Sequence, residues 1–264
     1  MAPSFFEKNI KKITLLFFIF FLISGTFAVK DYGVSSDEYS SRIKGFVTLN
    51  YLGNKISSNL TNKFKKDKNI IELKNYEQKI YGVIFEAPAS FLEVILKIKD
   101  KKNQFLLRHY LNFFIFFISV IFFYKILKLR FKNSLVALLG SIFLVLSPRI
   151  FANSFYNNKD LVFMSFFIIS SYYGIKFIDK QNLKNSFIFS IFAALAIDIR
   201  VLGILIPVTV LAINIFKNSF QQGISTPGID RGIFSDTYIT IKSIEDKNLK
   251  LIFKKNMGIQ IIWI

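Results

Sequence analysis

Six apolar runs decide what this chain can fold into. Residues 13–29 hold 17 consecutive residues without a charge, and further runs cover 110–124, 135–146, 161–178, 187–197 and 201–216. Lys176 alone interrupts the fourth run, and Asp198 with Arg200 separates the fifth from the sixth. A bilayer's hydrocarbon core is about 30 Å thick, and a helix of about 20 apolar residues crosses it. Packed into so short a chain, these runs predict an integral membrane protein with about six transmembrane helices. The first run follows Lys8, Lys11 and Lys12 and ends on small residues, Ser24-Gly25-Thr26-Phe27-Ala28, so it also fits a secretory signal peptide. Its apolar core is longer than a usual signal sequence, which favours a retained helix.

The formal charge of +18 raises the question of nucleic acid, and its distribution answers it. With the N-terminus inside, the short inner segments hold Lys8, Lys11, Lys12, Lys125, Lys128, Arg130, Lys132, Lys176, Lys180, Lys184 and Lys217 against Glu7 and Asp179. The short outer turns hold Arg149, Lys159 and Arg200 against Asp160 and Asp198. That is the positive-inside pattern, and it places the chain in the cytoplasmic (inner) membrane with its long first loop outside. The loop 30–109 carries net +6 and is too long to count in that rule. Most of the excess is flanking charge on membrane helices, so membrane lipids and not nucleic acid are the expected neighbours. The absence of Cys excludes a disulfide scaffold and any thiolate metal site.

The outer loop of about 80 residues stands out against minimal connections elsewhere, which makes it the candidate for function. Ser35 with Glu38 three residues on reads as a capping box, and Ile43, Val47 and Tyr51 then mark an amphipathic helix along the outer surface. Asp37 and Glu38 fall in that helix's first turn, where acids also simply complement the helix dipole. Glu86 lies among Phe85, Ile84 and Pro88, and a carboxylate buried there needs a partner. A second surface helix is expected over 91–98. Asp160 fits a cap of the fourth span, and Arg149 and Lys159 fit snorkelling to headgroups. Jointly, Asp37, Glu38, Glu86, Arg108, His109, Arg149, Lys159, Asp160 and Arg200 fall on one membrane face. Carboxylates beside cations there suit activating a hydroxyl while holding a phosphate.

The motifs Gly33-Val34-Ser35-Ser36-Asp37-Glu38, Tyr81-Gly82-Val83-Ile84-Phe85-Glu86-Ala87-Pro88, Arg108-His109 and Ser147-Pro148-Arg149-Ile150-Phe151 through Tyr156-Asn157-Asn158-Lys159-Asp160 occur in this order. Together they resemble the membrane glycosyltransferases of the GT-C fold. The nearest set is glycosyltransferase family 39, with the protein O-mannosyltransferases and the lipid A aminoarabinose transferases. The resemblance covers about residues 10–217 and implies an all-α membrane domain with amphipathic helices in its long outer loop. It implies inverting transfer of a glycosyl group from a polyprenyl-phosphate-linked donor to a hydroxyl on a lipid, glycan or protein. By the same resemblance Asp37 is the general base, Glu38 supports it, and Glu86 and Asp160 are further acidic positions. Arg108, Arg149, Lys159 and, more weakly, Arg200 would contact the donor phosphate. A divalent cation is optional, and carboxylate ligands would favour Mg or Mn. The chain departs from the family at Ala87 and Ala89, where a basic residue and a second proline are usual.

Residues 218–264 change character, with Gly223, Pro227, Gly228 and Gly232 and alternating stretches at 237–241 and 249–253. They read as a short β-like, non-membrane tail, a fusion or truncation product, behind a membrane region of 1–217. Family members run to about twice this length, so the expectation is an N-terminal half, with an inactive fragment as one alternative. A transporter, flippase or assembly subunit is the other, since charge inside a membrane domain also marks a pathway.

Overall fold

The computed structural model describes residues 5–56 and 71–225. Among these the chain is helical, with no strand. The helices are α1 (Phe5–Ala28), α2 (Ser36–Ile56), α3 (Glu86–Ile95), α4 (Lys101–Phe131), α5 (Ser134–Leu146), α6 (Pro148–Tyr156), α7 (Asp160–Asp179), α8 (Leu183–Ile199) and α9 (Leu205–Ser225). Short 3-10 turns at Val29–Asp31, Leu73–Asn75, Glu77–Ile80 and Val201–Ile204 join them. Two compact units divide the chain, Met1–Val210 and Leu211–Ile264, and the candidate site lies wholly in the first.

Four segments are long and apolar enough to cross a bilayer: Asn9–Asp31, Lys101–Phe131, Asp160–Asp179 and Val201–Ser219. A fifth exists if the bent pair Ser134–Leu146 and Pro148–Tyr156 counts as one span. The chain is thus an all-α membrane protein with four to five such helices among the described residues, where the sequence suggested about six. The difference sits in two runs. The third makes a helix of only 13 residues, because Ser147 is extended and Pro148 starts a new helix at 66° to the first. Proline suits that first-turn position, where its missing N–H has no partner to lose. The fifth run makes α8, 17 residues or about 26 Å of helix. The membrane boundary expected at 217 falls inside α9, and the β-like segments expected at 237–241 and 249–253 lie outside the described residues.

Local chemistry sets the helix ends. Asp100 accepts from Asn103 N to start α4, and Asn182 accepts from Asn185 N to start α8. Asn133 takes both Leu135 N and Val136 N at the head of α5. Each caps backbone donors that a helix start leaves free. Within the spans, Thr14 donates to Ile10 O, Thr26 to Leu22 O, and Ser141 to Ala137 O. Hydroxyls satisfied four residues back on their own helix carry no polar cost into lipid.

Two apolar clusters hold the first unit. Phe21 of α1, Phe113, Phe116 and Val120 of α4, and Phe155 of α6 form one, with Phe113 stacked on Phe155 at 5.6 Å. Phe189, Ala193 and Ala196 of α8 with Ile206 and Val210 of α9 form the other. Helix α7 packs against both α8 and α4. Because α7 and α8 form an antiparallel hairpin, the start of α7 and the end of α8 meet at one end of the bundle. Helices α2 and α3 pack on each other there, and α3 also touches α4.

Candidate functional site

Helix α2 supplies the first wall. Of the Ile43, Val47, Tyr51 stripe that periodicity suggests, Val47 is buried, Ile43 is half-buried and Tyr51 is exposed, while Ser41, Lys44, Gly45 and Thr48 are buried as well. Gly45 explains the burial of the polar side. A Cβ there would collide with Ser90 Oγ and the Glu86 carbonyl, so only glycine lets α2 lie directly on α3. Asp37, Ser41 and Lys44 follow at i, i+4 and i+7, and all three line one cavity of about 500 Å³.

Glu86 in the first turn of α3 forms part of the cavity lining and is buried. Its oxygens accept from Arg108 Nε at 3.4 Å and from Asn158 Nδ2. Burial pushes the Glu86 carboxyl above its ordinary range, and the neighbouring Arg108 and Lys44 charges and the two hydrogen bonds pull it back. Beneath it lies an ion network. Arg108 Nη1 donates to Glu93 Oε2 and to Gln104 O, both at 2.9 Å, and Nη2 donates to Ser90 Oγ at 2.9 Å. Arg42 makes a two-pronged pair with Glu93 at 2.7 and 3.0 Å. The network ties α2, α3 and α4 together under the cavity.

The far wall comes from the membrane helices. Asn158 and Lys159 precede α7, and Asp198, Ile199 and Arg200 close α8. Lys159 Nζ stands 3.4 Å from Asp37 Oδ2 and 5.8 Å from the Tyr81 ring centre. Arg200 pairs with Asp160 at the rim. A smaller cavity of about 220 Å³ adjoins, sharing Asp37, Asn158, Lys159 and Arg200 and adding Ser35, Asn157 and Asp160. Asp198 fastens the outer loop to this wall: its Oδ2 accepts both Val83 N and Ile84 N at 2.9 Å.

The sequence candidates therefore separate. Asp37, Glu86, Lys159 and Arg200 line the larger cavity, and Asp160 joins them in the smaller one. Glu38 does not. It turns inward, 1% exposed, and its carboxylate meets His109 Nε2 at 3.0 Å in place of closing a capping box on Ser35. Arg108 is 2% exposed and spent on Glu86, Glu93, Ser90 and Gln104, which puts it below the cavity and not in it. Arg149 is exposed on α6 and lines neither cavity. Sequence reasoning passed over Ser41, Lys44, Tyr81, Asn158 and Asp198 as site residues. The i, i+4, i+7 spacing from Asp37 was the available signal for the first two.

A divalent cation finds a poor donor set. Among the described residues no three His, Asp or Glu side chains gather into a metal-holding group. Both Glu86 oxygens already take hydrogen bonds, and Asp198 Oδ2 takes two. The described residues do not by themselves make up a metal-binding set, and no chemical step is assigned to a metal.

The described helices gather carboxylates, ammonium groups and a guanidinium around a cavity at one end of the bundle. Residues 88–230, more than half of the chain, match the family model described as dolichyl-phosphate-mannose-protein mannosyltransferase, and the chain belongs to that family, a group of membrane glycosyltransferases. Comparison with curated proteins and with solved structures finds no match. The matched segment holds Arg108, Arg149, Lys159, Asp160 and Arg200, while Asp37 and Glu86 lie ahead of it.

Proposed function

We propose that the chain transfers a glycosyl group from a polyprenyl-phosphate-linked donor to an acceptor hydroxyl, with inversion and with Asp37 as general base. The observation that carries the reading is the cavity itself, where Asp37 at one wall faces Lys159 and Arg200 at the other. In this reaction the bond from the sugar's anomeric carbon to the phosphate oxygen breaks, and the phosphate keeps the electron pair. The acceptor oxygen attacks from the opposite face, and its proton passes to the Asp37 carboxylate. Charge develops on the leaving phosphate, so cations already fixed beside it lower the barrier. Asp37 suits the base role because its side chain is 71% exposed, within reach of an acceptor entering the mouth.

A placement in the cytoplasmic membrane with the cavity on the outer side accords with the short-loop charge bias. A lipid-linked donor would then enter from the bilayer, and a lipid, glycan or protein acceptor from the aqueous side. The test is transfer in reconstituted vesicles, using a panel of polyprenyl-phosphate sugars and hydroxyl acceptors. Release of polyprenyl phosphate matched by an equal amount of glycosylated acceptor of inverted anomeric configuration supports the reading. Absence of transfer across the panel, or a retained configuration, overturns it.

A further inference from the structure

Lys44 is the one lysine side chain among the described residues that is nine-tenths or more buried, at 3% exposed. Its ammonium donates no hydrogen bond to any described residue, yet it lines the cavity. Burial costs an ammonium part of its hydration, and here it pushes Lys44 below the ordinary lysine range. Three charged neighbours act on it from other elements: Glu86 of α3 and Asp198 of α8 favour its charge, and Lys159 opposes it. Glu86 is a shared partner, since Arg108 and Asn158 already bond its oxygens. Lys44 and Lys159 also approach the same Tyr81 ring, at 5.9 and 5.8 Å. Two mutually repelling ammonium groups on opposite walls of one cavity leave a gap that an anion would fill. One helical turn away, the Ser41 hydroxyl is fully buried, lines the same cavity and has no hydrogen-bond partner among the described residues.

We propose that Lys44 and Ser41 form a phosphate subsite on the α2 wall of the cavity, holding the phosphate of the lipid-linked donor with Lys159 opposite. This rests on the glycosyl-transfer reading for the identity of the ligand. The chemistry needs only an oxyanion: the ammonium supplies charge and up to three donors, and the hydroxyl supplies a fourth. Charge-assisted bonds to phosphate are the strong class, and they are stronger away from bulk water. The subsite also places the leaving group. Asp37 lies two turns before Lys44 on the same face of α2, so base and phosphate holder are set by one rigid helix. Of the four cations that the sequence offered for the phosphate, Arg108 is committed to carboxylates and Arg149 stands outside. Lys44 supplies the charge from an element that the sequence marked only as an amphipathic surface helix.

The test uses the full chain in phosphatidylcholine nanodiscs. Binding of a short-chain polyprenyl monophosphate and, separately, of inorganic phosphate is measured by calorimetry. Lys44→Met is expected to weaken the lipid phosphate about tenfold or more, Ser41→Ala about threefold, and Lys44→Arg less than Lys44→Met. Parallel loss for inorganic phosphate identifies the phosphate itself as the recognised group. Loss for the lipid phosphate with unchanged affinity for inorganic phosphate overturns the proposal, since the subsite needs only an oxyanion. Unchanged affinity in Lys44→Met overturns the proposal. Should that variant not fold, unchanged affinity in Ser41→Ala overturns it. Sugar transfer is assayed on the same samples. Transfer with Lys44-independent binding removes the subsite and leaves the transfer reading standing. Lys44-dependent binding with no transfer does the reverse.

Discussion

Gly82 lies against Asp198 so closely that a Cβ at position 82 would overlap the Asp198 carbonyl. The Asp198 carboxylate then accepts the next two amides, Val83 N and Ile84 N. One short segment ahead of Glu86 is thus held on the end of α8 by a close backbone approach and by two hydrogen bonds to a single oxygen. Gly82→Ala must push these backbones apart, an overpacking cost of about 1–3 kcal/mol, and it shifts one cavity wall. Sugar transfer is expected to fall about 10- to 100-fold, the penalty for sub-ångström misplacement of reacting groups. Asp198→Asn keeps an acceptor oxygen and should retain more transfer than Asp198→Ala. Equal loss in the two variants would remove the clasp from the account.

Asp37→Asn keeps size and polarity but cannot accept the acceptor's proton. Transfer is expected to drop about 10²- to 10⁴-fold, the usual contribution of a general base. Membrane insertion and thermal stability should not change, because Asp37 is largely exposed and its described ion pair, with Lys159, spans 3.4 Å at the surface. The affinity for polyprenyl phosphate should stay within a factor of a few. Wild-type transfer by this variant would end the base assignment.

That Asp37, Glu86, Lys159 and Asp160 gather at the cavities was legible in the sequence, because each sits in a short polar motif between apolar runs. Lys44 was not, since a lysine in an amphipathic helix ordinarily reads as part of a solvated face. What buries it is Gly45 one residue on, which brings α2 onto the Glu86 backbone. That contact spans about 40 residues and leaves no periodic trace in the chain. Glu38 misled for a related reason: its three-residue spacing from Ser35 fits a cap, but His109 of α4 offers a buried partner. Arg108 looked like a free cation on the outer face, and only the fold brings Glu86, Glu93 and Ser90 around it. Membrane character was plain from the apolar runs. Their number was not, because Pro148 turns a nominal third span into a bent pair.

The Arg108 network is expected to dominate the stability of the outer layer. Its guanidinium joins Glu86, Glu93, Ser90 and the Gln104 carbonyl, and both carboxylates are buried. Removing one partner of a buried pair leaves an uncompensated charge, at a cost of about 3–5 kcal/mol. Arg108→Met should therefore lower stability by that order in unfolding measurements in mixed micelles. Arg108→Lys should recover only part, because an ammonium cannot reproduce the planar fork. A stable Arg108→Met protein that has lost only donor binding would return Arg108 to the phosphate-contact role.

The raised pKa of Glu86 fixes the sign of a stability change with pH. Desolvation is the largest cause, so the charged form is the costly one in the folded protein. Its contribution is fully present below the ordinary value of 4.5 and is lost as pH rises through the raised folded value. Glu86→Gln does not titrate and keeps both a hydrogen-bond acceptor and the side-chain shape. The difference in Tm, wild type minus Glu86→Gln, should accordingly grow more positive as pH is lowered from 8 towards 4.5. A difference that moves the opposite way would mean that Arg108 and Lys44 outweigh burial, with Glu86 a stabilised carboxylate.

The native sequence has no cysteine, so single-cysteine labelling reads topology without background. Ile56 at the end of α2 is 74% exposed, and Leu183, the first residue of α8, is 91% exposed. With the cavity outside, Ile56→Cys in intact cells should react with a membrane-impermeant maleimide. Leu183→Cys should react only after permeabilisation, because α7 runs from the cavity end to the opposite face of the bundle. The same orientation leaves Lys125, Lys128, Arg130 and Lys132 inside, where flanking cations are retained. The reverse labelling pattern would put Asp37 and the cavity on the cytoplasmic side. Donor and acceptor would then have to meet there, and the charge bias of the short loops would have pointed the wrong way.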